Sequence, residues 1–143
     1  MKITVVIPAF NEEGAIGDVV SAVPADGVRE VIVVDNGSTD ETAGVAAAVG
    51  ARVIKEPRPG YGSACSAGAR AATRSDVLVF LDGDRSDDPE QLHTIAGPVL
   101  DNRAELVIGS RITGVLQKGA MPLHGRLGNR LIVLLLRWLY GAD

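Results

Sequence analysis

The sequence predicts an α/β fold, a mostly parallel sheet with helices packed on both faces. Two observations carry that reading. Short β-branched runs alternate with longer Ala-rich or amphipathic stretches, the order that crossover connections between parallel strands impose. The strand-like runs are also apolar almost throughout, where a sheet with one wet face would alternate apolar and polar residues.

The elements follow in chain order. Residues 3–7, Ile3-Thr4-Val5-Val6-Ile7, make the first strand. Residues 12–23 make the first crossover helix, because Ile16, Val19, Val20 and Val23 recur at helical spacing before Pro24 stops it. A second strand spans 30–34. After it, Ser38, Thr39, Asp40 and Glu41 supply capping oxygens and early acids for a helix that runs through Val45-Ala46-Ala47-Ala48-Val49 to Gly50. The third strand, 52–55, leads to a helix at 62–73. The fourth, 77–81, leads to a helix at 89–101, opened by Pro89 in its first turn and kinked or ended early by Pro98. A fifth strand is expected at 106–108.

Composition narrows the function classes. A chain of 143 residues suits one domain with a substantial core. With 46% hydrophobic and 22% charged residues, neither a disordered nor a fibrous class is indicated. A net charge of -4 leaves no basic footprint, so no nucleic-acid partner is expected. The single cysteine, Cys65, has no internal disulfide partner, and its Ser and Ala neighbours mark it as a structural residue on a helix face. Met1-Lys2 runs straight into the first strand, without room for a signal-peptide core. The apolar stretch 131–136, continued after Arg137 by Trp138-Leu139-Tyr140, falls short of the roughly 20 residues that cross a bilayer. A cytoplasmic setting is the expectation.

In a doubly wound sheet, ligands bind outside the carboxyl ends of the strands. Four polar segments are expected there: Pro8-Ala9-Phe10-Asn11-Glu12, Asp35-Asn36-Gly37-Ser38, Asp82-Gly83-Asp84 and Gly109-Ser110-Arg111. The third is the most pointed. A magnesium-type ion is held by one or two carboxylates together with substrate phosphate oxygens, which an Asp-x-Asp can provide. Gly83 between the acids is expected to allow a tight turn and room for a ligand. An isolated acidic turn would read as a solvated helix cap; its place after a wholly apolar strand, facing three other polar strand ends, favours a metal.

The other segments admit two readings each. Asp35 either serves the turn or accepts a hydrogen bond from a nucleobase imide or ribose hydroxyl. Gly60 and Gly62 precede a helix and let backbone amides approach a ligand, while Tyr61 and Arg58 face a base or phosphate or are merely exposed. No Gly-Lys-Ser/Thr ending and no Gly-x-Gly-x-x-Gly supports an ATPase or a nicotinamide dehydrogenase. Arg111 either neutralises a diphosphate or forms a surface ion pair. His93 and His124 lack Cys or His partners at zinc-ligand spacing.

Taken together, Val6-Ile7-Pro8-Ala9-Phe10-Asn11-Glu12-Glu13, Val33-Val34-Asp35-Asn36-Gly37-Ser38-Thr39-Asp40, Gly60-Tyr61-Gly62, Phe80-Leu81-Asp82-Gly83-Asp84 and Ile108-Gly109-Ser110-Arg111 resemble the family 2 glycosyltransferases. The nearest likeness is to dolichol-phosphate mannosyltransferases and bacterial polyprenyl-phosphate sugar transferases. The resemblance implies a GT-A nucleotide-binding fold, here cut short on its acceptor side, and an enzyme that moves a sugar from a UDP- or GDP-linked donor by a single inverting displacement. It implies Pro8, Ala9, Phe10, Glu12, Val34, Asp35, Gly60, Asp82 and Gly83 as nucleotide-binding residues. Asp82 and Asp84 would hold Mg2+ or Mn2+, and Asp82, Asp84 and Arg111 would be the catalytic set. The metal would offset charge on the departing nucleoside diphosphate, and no covalent nucleophile is needed.

The same resemblance divides the chain into a donor-binding core at 1–112, a loop at 113–122 and an amphipathic helix at 123–143 that begins the acceptor or association region. That helix carries Leu131, Leu134, Leu135, Trp138 and Leu139 beside Arg126, Arg130 and Arg137, a pattern suited to homo-oligomer contacts or to an inner-membrane surface near a lipid-linked acceptor. Asn36 stands where the family usually has a second acid, and Gly83 where Ala is common. Two other readings remain open: a nucleotide-sugar-binding fragment without turnover, and a nucleotidyltransferase, which would need a glycine-rich, basic triphosphate loop near the first strand.

Overall fold

A computed structural model describes residues 2–110 of the chain. Four parallel strands form one sheet in the order β3-β2-β1-β4: β1 Ile3–Ala9, β2 Val28–Asp35, β3 Arg52–Lys55 and β4 Val77–Phe80. Register places Ala9 opposite Asp35 and Val6 opposite Phe80, so the chain leaves β1, β2 and β4 at one edge. That edge is where a doubly wound sheet receives its ligand.

β1 lies inside the sheet and is buried along its whole length. On one face Ile3, Val5 and Ile7 pack with Ile16, Val19, Ala46, Leu92 and Ala96 from helices α1 (Ile16–Ala22), α2 (Thr42–Ala48) and α4 (Leu92–Leu100). On the other, Val6, Ile32 and Val34 meet Ala64 of α3 (Tyr61–Ala71). Each fully buried aliphatic contributes about 1.5–3 kcal/mol, which makes β1, with Ile3, Val5, Val6 and Ile7 all sealed, the organising strand. Close approach of α3 depends on Gly68, where a Cβ would stand 2.2 Å from Val6 Cγ1.

The four helices expected within the described residues form, with shifted ends. α1 begins only at Ile16, because residues 12–15 make a turn in which the Ala15 and Ile16 amides both donate to the Glu12 carbonyl at 2.9 Å. α2 begins at Thr42, whose amide donates to Asp40 Oδ1 at 3.0 Å, while Ser38 accepts from the β1 loop instead. A 3-10 turn, Pro89–Gln91, precedes α4 and is capped by Asp88, whose side chain accepts from the Glu90 amide. Pro98 sits within α4 without ending it at once; its missing N–H falls in the last turn, and the helix stops two residues later at Leu100.

The fifth strand does not form. Residues 104–110 carry no regular structure, and Leu106 and Ile108 are 76% and 81% exposed. An apolar, β-branched run favours a strand only when it pairs with a neighbour, and among the described residues 106–108 pair with no strand. Leu78 and Phe80 of β4 are correspondingly exposed on the α3 face, because α3 packs on β1 and β2.

The chain divides into two compact units, Met1–Val107 and Ile108–Asp143. Arg111, the 113–122 loop, His124 and the 123–143 helix lie outside the described residues. Among the described residues no helix is long and apolar enough to cross a membrane.

Candidate active site

A cavity of about 530 Å³ opens at the carboxyl edge of the sheet. That volume lies within the ~300–1,000 Å³ typical of small-molecule sites. Its walls come from four places: Pro8, Ala9, Phe10 and Glu12 after β1; Asn36 after β2; Pro59, Gly60, Tyr61 and Ala64 at the start of α3; and Asp82, Gly83 and Asp84 after β4. Three of the four polar segments expected to converge therefore do so. The loop that follows β3 supplies the remaining wall.

The β1 and β2 exits are stitched together by reciprocal hydrogen bonds. Backbone amides of Asn11, Glu12 and Glu13 donate to Ser38 Oγ (3.0 Å), Thr42 Oγ1 (2.8 Å) and Asp40 Oδ2 (3.2 Å). In return the amides of Thr39 and Glu41 donate to Asn11 Oδ1 (2.8 Å) and Glu13 Oε2 (3.0 Å). The Ser-Thr-Asp run that resembles a helix cap thus serves mainly to anchor the neighbouring loop. The Thr42 hydroxyl donates to Asp40, and that bond holds the Asp40 carboxyl below its ordinary pKa.

The β4 exit is built differently. Asp82 and Asp84 both line the cavity, Asp84 being exposed and Asp82 partly so. The Tyr61 hydroxyl donates to Asp82 Oδ1 at 3.2 Å and the Ser86 hydroxyl to Oδ2 at 3.3 Å. The Asp82 amide donates to Asp87 Oδ2 at 3.0 Å. Arg85 takes a left-handed backbone, φ 64°, and its guanidinium reaches the Gly14 carbonyl and Asp18, tying this loop to α1. Gly83 lies in the expected turn but does not need to be glycine: it is absent from the positive-φ positions, and a Cβ there would meet Ile7 Cγ2 and the Pro8 carbonyl at 3.4 Å, ordinary contact.

Other expected residues fall away from the cavity. Val34 is fully buried against α3 and belongs to the core. Asp35 is 6% exposed, and its Oδ1 accepts from the Ser38 amide at 2.9 Å, so its carboxylate serves the turn. Alternation explains both: β2 is paired on both sides, and only the residue beyond its last paired position can turn toward the opening. Asn36 is that residue. Its place as a wall was missed, although a polar side chain just past a buried strand is the signal that locates it. Cys65 is half-buried one helical turn from Tyr61, and burial raises its thiol pKa, as suits a structural cysteine. Desolvation, then the Asp82 charge, raise the Tyr61 phenol pKa, so Tyr61 stays a donor.

Asp82 and Asp84 fit a magnesium-type ion as a partial set: two carboxylates two residues apart facing a cavity, with the remaining positions left to ligand oxygens and water. Among the described residues no group of three or more His, Cys, Asp or Glu side chains is placed to hold a metal ion unaided.

The profile of glycosyl transferase family 2 matches residues 4–140. The chain belongs to that family. An uncharacterized glycosyltransferase of Mycobacterium tuberculosis is 50% identical over 109 residues, covering 76% of this chain and 48% of the relative. Glucosyl-3-phosphoglycerate synthase of Mycolicibacterium smegmatis is 37% identical over 148 residues, covering 94% of this chain and 48% of the synthase. The crystal structure of the M. tuberculosis synthase with Mn2+, UDP-glucose and phosphoglyceric acid superimposes with a TM-score of 0.62 at 40% identity, over 69% of this chain and 39% of that one. The same enzyme has also been solved with Mg2+ and UDP.

The fold is therefore the α/β, GT-A-like fold of these glycosyltransferases. Within the family the likeness differs from the one the motifs suggest. These relatives are glucosyl-3-phosphoglycerate synthases and other glycosyltransferases, and the specific likeness to dolichol-phosphate mannosyltransferases is not carried by them. The chain spans about half the length of the curated relatives it matches.

Proposed function

We propose that this glycosyltransferase binds a UDP-linked sugar in the cavity at the carboxyl edge of the sheet, with Mn2+ or Mg2+ on Asp82 and Asp84. The observation that carries the reading is the convergence of both carboxylates with the β1 exit on one cavity. Pro8, Ala9, Phe10 and Glu12 border the nucleoside, and Phe10, 58% exposed at the opening, offers an apolar face to the base. Gly60 and Tyr61 form the wall across from them, between base and diphosphate. Arg111, in the catalytic set with the two acids, neutralises the diphosphate. Asp35 acts behind this wall by holding the β2 turn rather than by touching the nucleotide.

When bound, the ion supplies Lewis-acid stabilisation of the leaving nucleoside diphosphate. The chain's own residues orient the donor: the β1 loop is fixed through its bonds to residues 38–42, and Asp82 is held between two hydroxyls. UDP is favoured over GDP because the matched synthase structures hold UDP. The acceptor reading moves from a polyprenyl phosphate to a small phosphorylated hydroxy acid, as the synthases' names indicate for those enzymes. A core at 1–112, a loop at 113–122 and a helix at 123–143 remain the proposed organisation.

Calorimetric titration with UDP, GDP and UDP-glucose, each with and without Mn2+, tests the donor reading. Metal-dependent UDP binding is expected; equal affinity with and without the ion would sink it. Because the chain spans about half of its relatives, a second reading keeps donor binding and gives up turnover. Release of UDP from UDP-glucose in the presence of 3-phosphoglycerate would exclude that alternative.

A further inference from the structure

The Asn36 side chain makes three hydrogen bonds, all to the backbone between β3 and α3. Its Nδ2 donates to the Glu56 and Arg58 carbonyls, each at 2.8 Å, and its Oδ1 accepts from the Gly60 amide at 2.8 Å. Two partners can only accept and the third can only donate, so a single orientation of the carboxamide satisfies all of them.

The loop so held is one wall of the cavity. Pro59, Gly60 and Tyr61 line it, and Gly60 has φ 119°, a conformation open to little but glycine. Ser63 Oγ reaches the Arg58 and Gly60 carbonyls at 2.6 Å, but it sits on α3 itself and does not tie the loop to the sheet. Asn36 does. Tyr61, the first residue of α3, then donates its hydroxyl to Asp82. Contacts therefore run from the β2 exit, through residues 56–60, to the β4 exit.

We propose that Asn36 is a positioning residue whose carboxamide staples the β3–α3 loop to the end of β2 and so sets the wall formed by Pro59, Gly60 and Tyr61 against the bound donor. The functional half of this inference rests on the donor-site reading above; the staple itself does not. An acid at position 36, the commoner choice in the family pattern that this sequence resembles, cannot take the place of the amide. A carboxylate has no N–H for the Glu56 and Arg58 carbonyls and would set its charge against them.

The test compares the full chain with Asn36→Ala, which removes all three side-chain bonds including the acceptor of the Gly60 amide, by amide hydrogen exchange without nucleotide and by UDP titration in Mn2+. Exchange at Gly60 is expected to accelerate about tenfold or more as the staple opens, and UDP affinity to fall about tenfold. Unchanged exchange at Gly60 overturns the staple. Accelerated exchange with undiminished UDP affinity overturns the positioning role, since a contribution confined to stability would lower the melting temperature and leave affinity intact. If the unmodified chain binds no UDP, the donor reading fails while the exchange result still decides the staple. Should Asn36→Ala not fold, Asn36→Leu, which keeps the side-chain volume without a polar atom, undergoes the same two measurements with the same criteria.

Discussion

The exits of β2 and β4 look alike as sequence and differ as structure. Each is an apolar strand followed by an acid and then by turn-forming residues: Val33-Val34-Asp35-Asn36-Gly37 in one, Phe80-Leu81-Asp82-Gly83-Asp84 in the other. After β2 the acid is buried and capped by the Ser38 amide, and the neighbouring amide, Asn36, faces the cavity. After β4 both acids line the cavity and the first is held by hydroxyls. The position in the sheet makes the difference. β2 has strands on both sides and α3 over one face, whereas β4, at the edge of the sheet among the described residues, has α3-side residues that stay exposed. An acid leaving a covered strand is consumed by its own turn; one leaving the edge keeps a face toward solvent.

That contrast is broken or sharpened by four measurements, the largest effect first. Replacing both β4 acids, Asp82→Ala with Asp84→Ala, is expected to weaken UDP binding in Mn2+ by about 100-fold, or ~2.7 kcal/mol, and to shift the melting temperature little. Retained affinity would remove the metal reading from this exit. Asp35→Ala should do the opposite in thermal unfolding, costing about 1–3 kcal/mol by leaving the Ser38 amide without its acceptor. A melting temperature as high as that of the unmodified chain would show that the two acids are not different in kind.

A smaller effect comes from pH. The folded pKa of Asp40 is depressed by its bond from Thr42, so its contribution is complete above the ordinary carboxylate value of about 4 and is lost as pH falls through the lower folded value. Amide protection of Glu13 and Thr42, which donate to the Asp40 carboxylate, should hold from pH 7 to 5 and fall below pH 4; constant protection down to pH 2 would contradict that role. Smallest of all is Gly83→Ala, expected to change stability by less than about 0.5 kcal/mol because the added methyl meets only ordinary contacts. A large loss would mean that the β4 exit needs glycine after all.

Much of the fold was legible in the chain. The four strands and four helices are local patterns of apolar spacing, capping residues and breakers, and those patterns report on each segment separately. The failures are non-local. Leu106 and Ile108 satisfy the strand pattern yet pair with no strand among the described residues, and no inspection of residues 106–108 alone reveals that. Within the site, Pro8, Ala9, Phe10, Glu12, Gly60, Asp82, Gly83 and Asp84 reach the cavity as expected. Val34 and Asp35 do not, because a family-level pattern places a motif at a strand end without saying which of its side chains turns outward. Asn36 was seen only as a departure from that pattern, while its three partners lie 20 to 24 residues further along the chain.

By itself the sequence determined the α/β class, the parallel sheet, the edge at which polar residues gather and, through five ordered motifs, the glycosyltransferase family. These depend on composition and spacing, which survive in one dimension. Only the tertiary structure decided that Asp35 is buried, that Asn36 holds the β3–α3 loop, and that Tyr61 meets Asp82 across the opening. Hydrogen-bond partners and solvent exposure are set by which segments the packed sheet brings within 3 Å or so of each other, and that proximity is a property of the fold rather than of any segment in it.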